Sequence, residues 1–194
     1  MSTASAFAAD ASDAILRTLS VSALISSREY IRCRKGYYSM TDVHLAQINI
    51  GGMKAPLEDP AMAGFVARLD EINALADRSS GFVWRLQTEE GNATYLRPFD
   101  DERIIVNMSV WESIDALRAY VYGSAHAEVL RQRREWFEKF DRVFLALWWI
   151  PAGHIPSIDE AKARLASLEE NGPTPLAFTF KTTFPPDSAL ELIA

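Results

Sequence analysis

Residues 124–154 read SAHAEVLRQRREWFEKFDRVFLALWWIPAGH. The second half, VFLALWWI at 143–150, is a nearly continuous apolar run stopped by Pro151, as in a strand covered on both faces. The first half has helical spacing. At about 100° per residue over 126–140, Val129, Leu130, Trp136, Phe137 and Phe140 form one apolar stripe, and His126 and Arg133 fall inside it. An imidazole and a guanidinium on a core-facing stripe need partners, so this stretch is both the centre of the fold and the first candidate for a site.

Upstream, VHLAQINI at 43–50 alternates, with Ala46, Ile48 and Ile50 on one face and Leu45, Gln47 and Asn49 on the other, and ends at Gly51-Gly52. Asp59-Pro60 is an N-cap and first-turn pair, and Met62, Phe65, Val66, Leu69, Ile72 and Ala76 predict a helix running to about Ala76. GFVWRLQT (81–88) and RIIVNMSVW (103–111) are two further strands, expected to pair antiparallel. In the latter, Ile104, Val106, Met108 and Val110 share a face, leaving Ile105, Asn107, Ser109 and Trp111 on the other. Ser113 caps a helix whose buried line is Ile114, Leu117 and Val121. After Pro151, Ser157 to Glu160 is a capping box for a mostly polar, peripheral helix closing at Asn171-Gly172-Pro173. LAFTFKTTF (176–184) reads as an edge strand.

Strand, helix, strand, strand, helix pair, strand is the split βαβ order of a ferredoxin-like α+β sandwich, with a helix and strand added at the C-terminal end. Its helices lie on one sheet face. The other face is apolar as well, and the simplest cover is the sheet of a second copy, so a homodimer is expected.

At 194 residues the chain supports one well-developed core. A net charge of −6, without basic clusters interleaved with aromatics, argues against nucleic acid. No apolar run is long enough to cross a membrane as a helix. A single cysteine, Cys33, excludes an intramolecular disulfide and a cysteine-based metal site and fits a reducing, cytoplasmic setting. His44, His126 and His154 are too far apart for a local metal-ligand pair, and no metal is expected. Residues 1–40 stand apart: they are rich in Ala and Ser, and Arg17, Arg28, Arg32, Arg34 and Lys35 outnumber Asp10, Asp13 and Glu29. They are expected to be a poorly ordered extension ahead of a single domain at 41–194, with Met40 as an alternative start.

The blocks GFVWRLQT, VNMSVWESIDALRAYVY, SAHAEVLRQRREWF and LALWWIPAGH, in that order, resemble the domain-of-unknown-function family numbered 3291, placed among the dimeric α/β barrels. The resemblance covers roughly residues 43 to 184 and implies the fold and the dimer, but no activity. Within the wider fold, the residue types Asn49, Trp111 and His126 resemble those used by antibiotic-biosynthesis and haem-degrading monooxygenases, although no spacing ties the three together here.

The candidate site is therefore His126 as a catalytic group, with Asn49, Trp84, Asn107, Trp111, Arg133, Trp136 and Trp149 as binding residues. Each also has a structural reading: a core histidine with one hydrogen bond, an arginine in an internal ion pair, tryptophans filling a core. Three functions follow. One is a cofactor-independent monooxygenase or isomerase-like enzyme acting on a hydrophobic or aromatic metabolite. The second is a non-catalytic binding or stress-related module, and the third is haem binding through His126. By strict alternation Asn107 and Trp111 point away from the helix side on which His126 is expected, so they meet His126 only if Trp111 lies past the end of its strand or a bulge turns it, and that geometry distinguishes a site from a core. No phosphate loop, nucleophile elbow or dinucleotide fingerprint is present.

Overall fold

Strand β3 (Val43–Gly52) is the pivot of the molecule, because two other strands pair with it along most of its length. The computed structural model describes residues 30–33, 36–39, 43–89, 91–123 and 125–188. β1 (Tyr30–Cys33) and β2 (Gly36–Ser39) form an antiparallel ribbon separate from the main sheet. The other residues of the N-terminal forty lie outside the described residues.

The main sheet consists of β3, β4 (Phe82–Arg85), β5 (Ile104–Trp111) and β6 (Leu145–Pro151), all antiparallel, in the order β4-β5-β3-β6. This is the ferredoxin-like order expected from the sequence, with α1 (Ala63–Val66) and α2 (Leu69–Asp77) between the first two strands and α3 (Ile114–Gly123) and α4 (His126–Gln132) between the last two. Gly81 makes the turn into β4 at φ 74°; a Cβ there would lie 2.7 Å from Ala116 Cβ, so both backbone and packing require glycine.

Four local expectations are corrected. The helix after Asp59 does form its cap, Asp59 Oδ1 accepting from Ala61 N at 2.8 Å, but the segment breaks into a 3₁₀ turn, α1 and α2 instead of running continuously to Ala76. The helix carrying His126 ends at Gln132, not Phe140. Residues 136–138 instead pair with the end of β3: Lys54 N donates to Trp136 O (2.9 Å) and Glu138 N to Gly52 O (2.8 Å), which claims the backbone that a helix would have used. Residues 176–184 form no strand. Phe178 exchanges two hydrogen bonds with Leu147 of edge strand β6, but turns on either side break the ladder while the Phe178 ring is fully buried.

The fourth correction decides the architecture. α5 (Ile158–Asn171) begins at the expected cap, Ser157 Oγ accepting from Glu160 N at 3.1 Å, and ends at Gly172 with φ 68°. It is not peripheral. Its Ala161, Leu165 and Leu168 pack on Ala46, Ile48, Val106, Met108, Val110 and Trp148, and Trp148 Nε1 donates to Glu160 Oε1 at 2.9 Å. The face assigned to a second copy is thus covered from within the chain, and the premise for two-fold association through it falls away. The polar composition of AKARLASLEE hid this, because three small or aliphatic residues at positions 161, 165 and 168 suffice for a one-sided contact.

Candidate functional site

The helices α2, α3 and α4 lie on the opposite sheet face, the one with the polar residues. Register places Leu45, Gln47 and Asn49 beside Trp111, Ser109 and Asn107 of β5 and beside Trp149, Leu147 and Leu145 of β6. Trp111 and Leu45 pack with Leu117, Ile114 and Tyr120 of α3 and with Ala76 of α2. The expected conflict between Trp111 and His126 therefore disappears without a bulge. The assumption that failed was that the more apolar face carries the helix pairs.

At one end of this face three rings line up. Trp111, fully buried, stacks on Tyr120 with centroids 5.0 Å apart and planes at 27°, and Tyr120 meets His126 at 4.8 Å. Phe82 packs edge-on against Trp111 at 5.3 Å. Tyr120 was not singled out in the sequence, although it lies three residues beyond Leu117 on the buried line of α3, so helical periodicity alone points to it. Its hydroxyl donates to Ile72 O of α2 at 3.3 Å, and burial pushes its pKa well above the usual phenol range, keeping it protonated.

His126 is half-buried at the start of α4, its Nδ1 3.3 Å from the Val121 carbonyl. A carbonyl accepts only from an N–H, so this contact selects the Nδ1–H tautomer and leaves the basic lone pair of the neutral ring on Nε2. Burial lowers the His126 pKa, and the Val121 contact offsets this only in part, so the ring is neutral at pH 7.

From Trp111 a polar row runs along the sheet. Trp111 Nε1 donates to Ser109 Oγ at 2.8 Å, and Gln47, across from Ser109, donates through Nε2 to Asn107 Oδ1 at 3.0 Å. Asn49 lies directly opposite Asn107, which is exposed although it occupies the helix-side face. Arg85, paired with Ser109, extends the row; its Nε and Nη2 grip both oxygens of Asp77 (2.8 and 3.2 Å), and its Nη1 donates to Gly91 O at 2.7 Å. The guanidinium is thereby neutralised within the protein.

The remaining candidates are elsewhere. Trp149 shares the helix-side face, but its Nε1 is tied to Phe184 O at 2.8 Å and its ring is buried. Trp84 packs on the α5 side of the sheet. Trp136 is buried with Met53, Leu57 and Met62 in a separate cluster. Arg133 is exposed, its guanidinium over the Phe144 ring at 5.6 Å, because the helix ends before reaching it. The structure therefore gathers Asn49, Asn107, Trp111 and His126 on one face, leaves Trp84 and Arg133 off it, and sets Trp136 in a neighbouring cluster with Ile105 and Val129. Among the described residues no group of three His, Cys, Asp or Glu side chains is placed to hold a metal, and no helix is long and apolar enough to cross a membrane.

The model of the domain of unknown function DUF3291 matches residues 44–192. The chain belongs to the DUF3291 family. No curated protein matches it. Solved structures similar to this DUF3291 chain include SnoaB, a cofactor-independent oxygenase from Streptomyces nogalater, in an N63A mutant form, at 17% identity and a TM-score of 0.39 over 58% of this chain and 95% of that one. Rv0793 from Mycobacterium tuberculosis is 19% identical, with a TM-score of 0.39 over 59% and 99% of the two chains. NE2512 from Nitrosomonas europaea, a protein of unknown function, is 15% identical, with a TM-score of 0.37 over 60% and 98%.

Proposed function

We propose that the helix-side face of the sheet binds a small planar aromatic metabolite and that His126 accepts a proton from it. The carrying observation is the continuity of the site: an aromatic end made by Trp111, Tyr120 and His126 passes through Ser109 into the amides Gln47, Asn49 and Asn107. The half-buried rings of Tyr120 and His126, backed by the buried Trp111, favour a flat apolar ligand, and a row of amides orients its oxygens. A neutral imidazole with its proton on Nδ1 is the form that takes a proton through Nε2. Proton abstraction of this kind begins both isomerase-type and cofactor-independent oxygenase chemistry, and no cofactor enters the reading. Added haem should give no Soret band that depends on His126.

The test is a titration of full-length protein with planar phenols, starting with 1-naphthol, followed by tryptophan fluorescence and oxygen uptake. Saturable quenching that is lost in Asn107→Leu, with turnover lost in His126→Ala while binding persists, is the expected result. Saturable binding without oxygen uptake or proton exchange leaves a binding module and removes the enzyme. Absence of saturable binding across the panel removes the site.

A further inference from the structure

On the other side of the molecule, α5 and the chain ahead of β6 enclose an open cleft of about 440 Å³ that the proposed aromatic site does not use. Its floor is apolar: Ile50 at the end of β3 and Leu165 of α5, both buried, with Phe99 and Val143 as half-buried walls. Ala163 and Ala166 line the helix side, and because their side chains stop at Cβ they leave the volume unfilled. The rim carries two cations. Lys162 Nζ is held in place by the Pro98 carbonyl at 2.9 Å and by the Phe99 ring, whose centroid is 5.3 Å away; an ammonium has three N–H donors, and only one of them is used by Pro98. Arg142 lies over the Phe140 ring at 5.2 Å. Neither has an ion-pair partner among the described residues, and Asp101, the acid whose charge Arg142 influences, is already taken by Arg103 (Nη2–Oδ2 3.0 Å). Glu169 closes the cleft seven residues beyond Lys162, roughly 10 Å further along the helix.

We infer that this cleft is a second binding site, for an amphipathic monocarboxylate such as a medium-chain fatty acid, with the carboxylate held by Lys162 and Arg142 and the apolar chain lying over Ile50, Val143 and Leu165. Two cations against one carboxylate give a site one charge short of neutral, which a single anion completes. Glu169 supplies the specificity: a dicarboxylate long enough to reach it would place its second charge against a like charge.

The test is a titration of isotope-labelled full-length protein with octanoate, octanol and suberate, read from the amide shifts of Ile50, Val143 and Ala166. Octanoate is expected to saturate these shifts, while octanol and suberate bind about tenfold or more weakly. Lys162→Gln and Arg142→Gln should each weaken octanoate by about tenfold. Ala166→Phe, at an exposed helix position, should fill the cleft and abolish binding with the helical circular dichroism unchanged. Shifts that do not saturate, suberate binding as tightly as octanoate, or affinities unchanged in both glutamine variants would overturn the inference.

Discussion

His126 is half-buried, and the loss of water disfavours its charged form more than the Val121 carbonyl favours it. Its pKa is therefore below the ordinary 6.5, burial being the larger cause and the Val121 contact opposing it. The sign of the linkage follows. Above pH 6.5 both folded and unfolded chains hold the ring neutral; as pH falls below that value the unfolded chain takes up the proton first, so stability is lost on acidification. Urea midpoints measured between pH 7.5 and 5 should fall in the wild type, and fall less in His126→Gln; parallel curves would exclude this role. Trp111 is the complementary case. Fully buried between Phe82 and Tyr120, it should cost about 3–5 kcal/mol when replaced by alanine, read by denaturant unfolding. The residue types at this end of the candidate site were legible in the sequence, since a histidine beside a buried stripe and a tryptophan at a strand end each demand an environment. Tyr120 was legible only as one more member of an amphipathic helix.

Among the elements, α5 has the most influence for its composition. Its buried line is Ala161, Leu165 and Leu168, and the rest is polar. Ser157→Ala, which removes the cap accepted from Glu160 N, should destabilise by about 1 kcal/mol. Leu165→Ala should cost about 3 kcal/mol, because the cavity opens onto the sheet face where the structure cannot collapse. If the two costs are equal, α5 is held by its ends and not by its face. Both ends of this helix are legible in the sequence, and its place is not. Capping is local chemistry, readable four residues at a time; Ala161, Leu165 and Leu168 do recur at helical spacing, but a stripe this narrow among polar residues does not say which surface it covers. The helix after Gly123 failed for another reason. Residues 126–140 have helical spacing throughout, but Gly52 at the end of β3 and Lys54 just beyond it offer the backbone of 136–138 better partners than another turn would.

For the whole molecule, α5 turns a two-layer sandwich into three layers, with the sheet between α2–α4 on one side and α5 on the other. Replacing Leu165 and Leu168 together by aspartate should release α5 and bare Ala46, Ile48, Val106, Met108 and Trp148. That apolar face is the kind that drives association, so the double variant should elute from a sizing column as a larger species than the wild type. Equal elution, with both proteins folded, would mean that α5 is not what shields the face. The sequence by itself determined the order of the main elements, which residues share a strand face, the caps of α5 and the family resemblance, because each depends on neighbours within a few residues or on a whole pattern of blocks. Only the tertiary structure decided which sheet face the helix pairs cover, that α5 covers the other, and hence that Asn107, Trp111 and His126 share a side while Trp84 and Arg133 do not. Both faces of this sheet are apolar enough to be buried, and alternation says which residues share a face but not which element comes to lie on it.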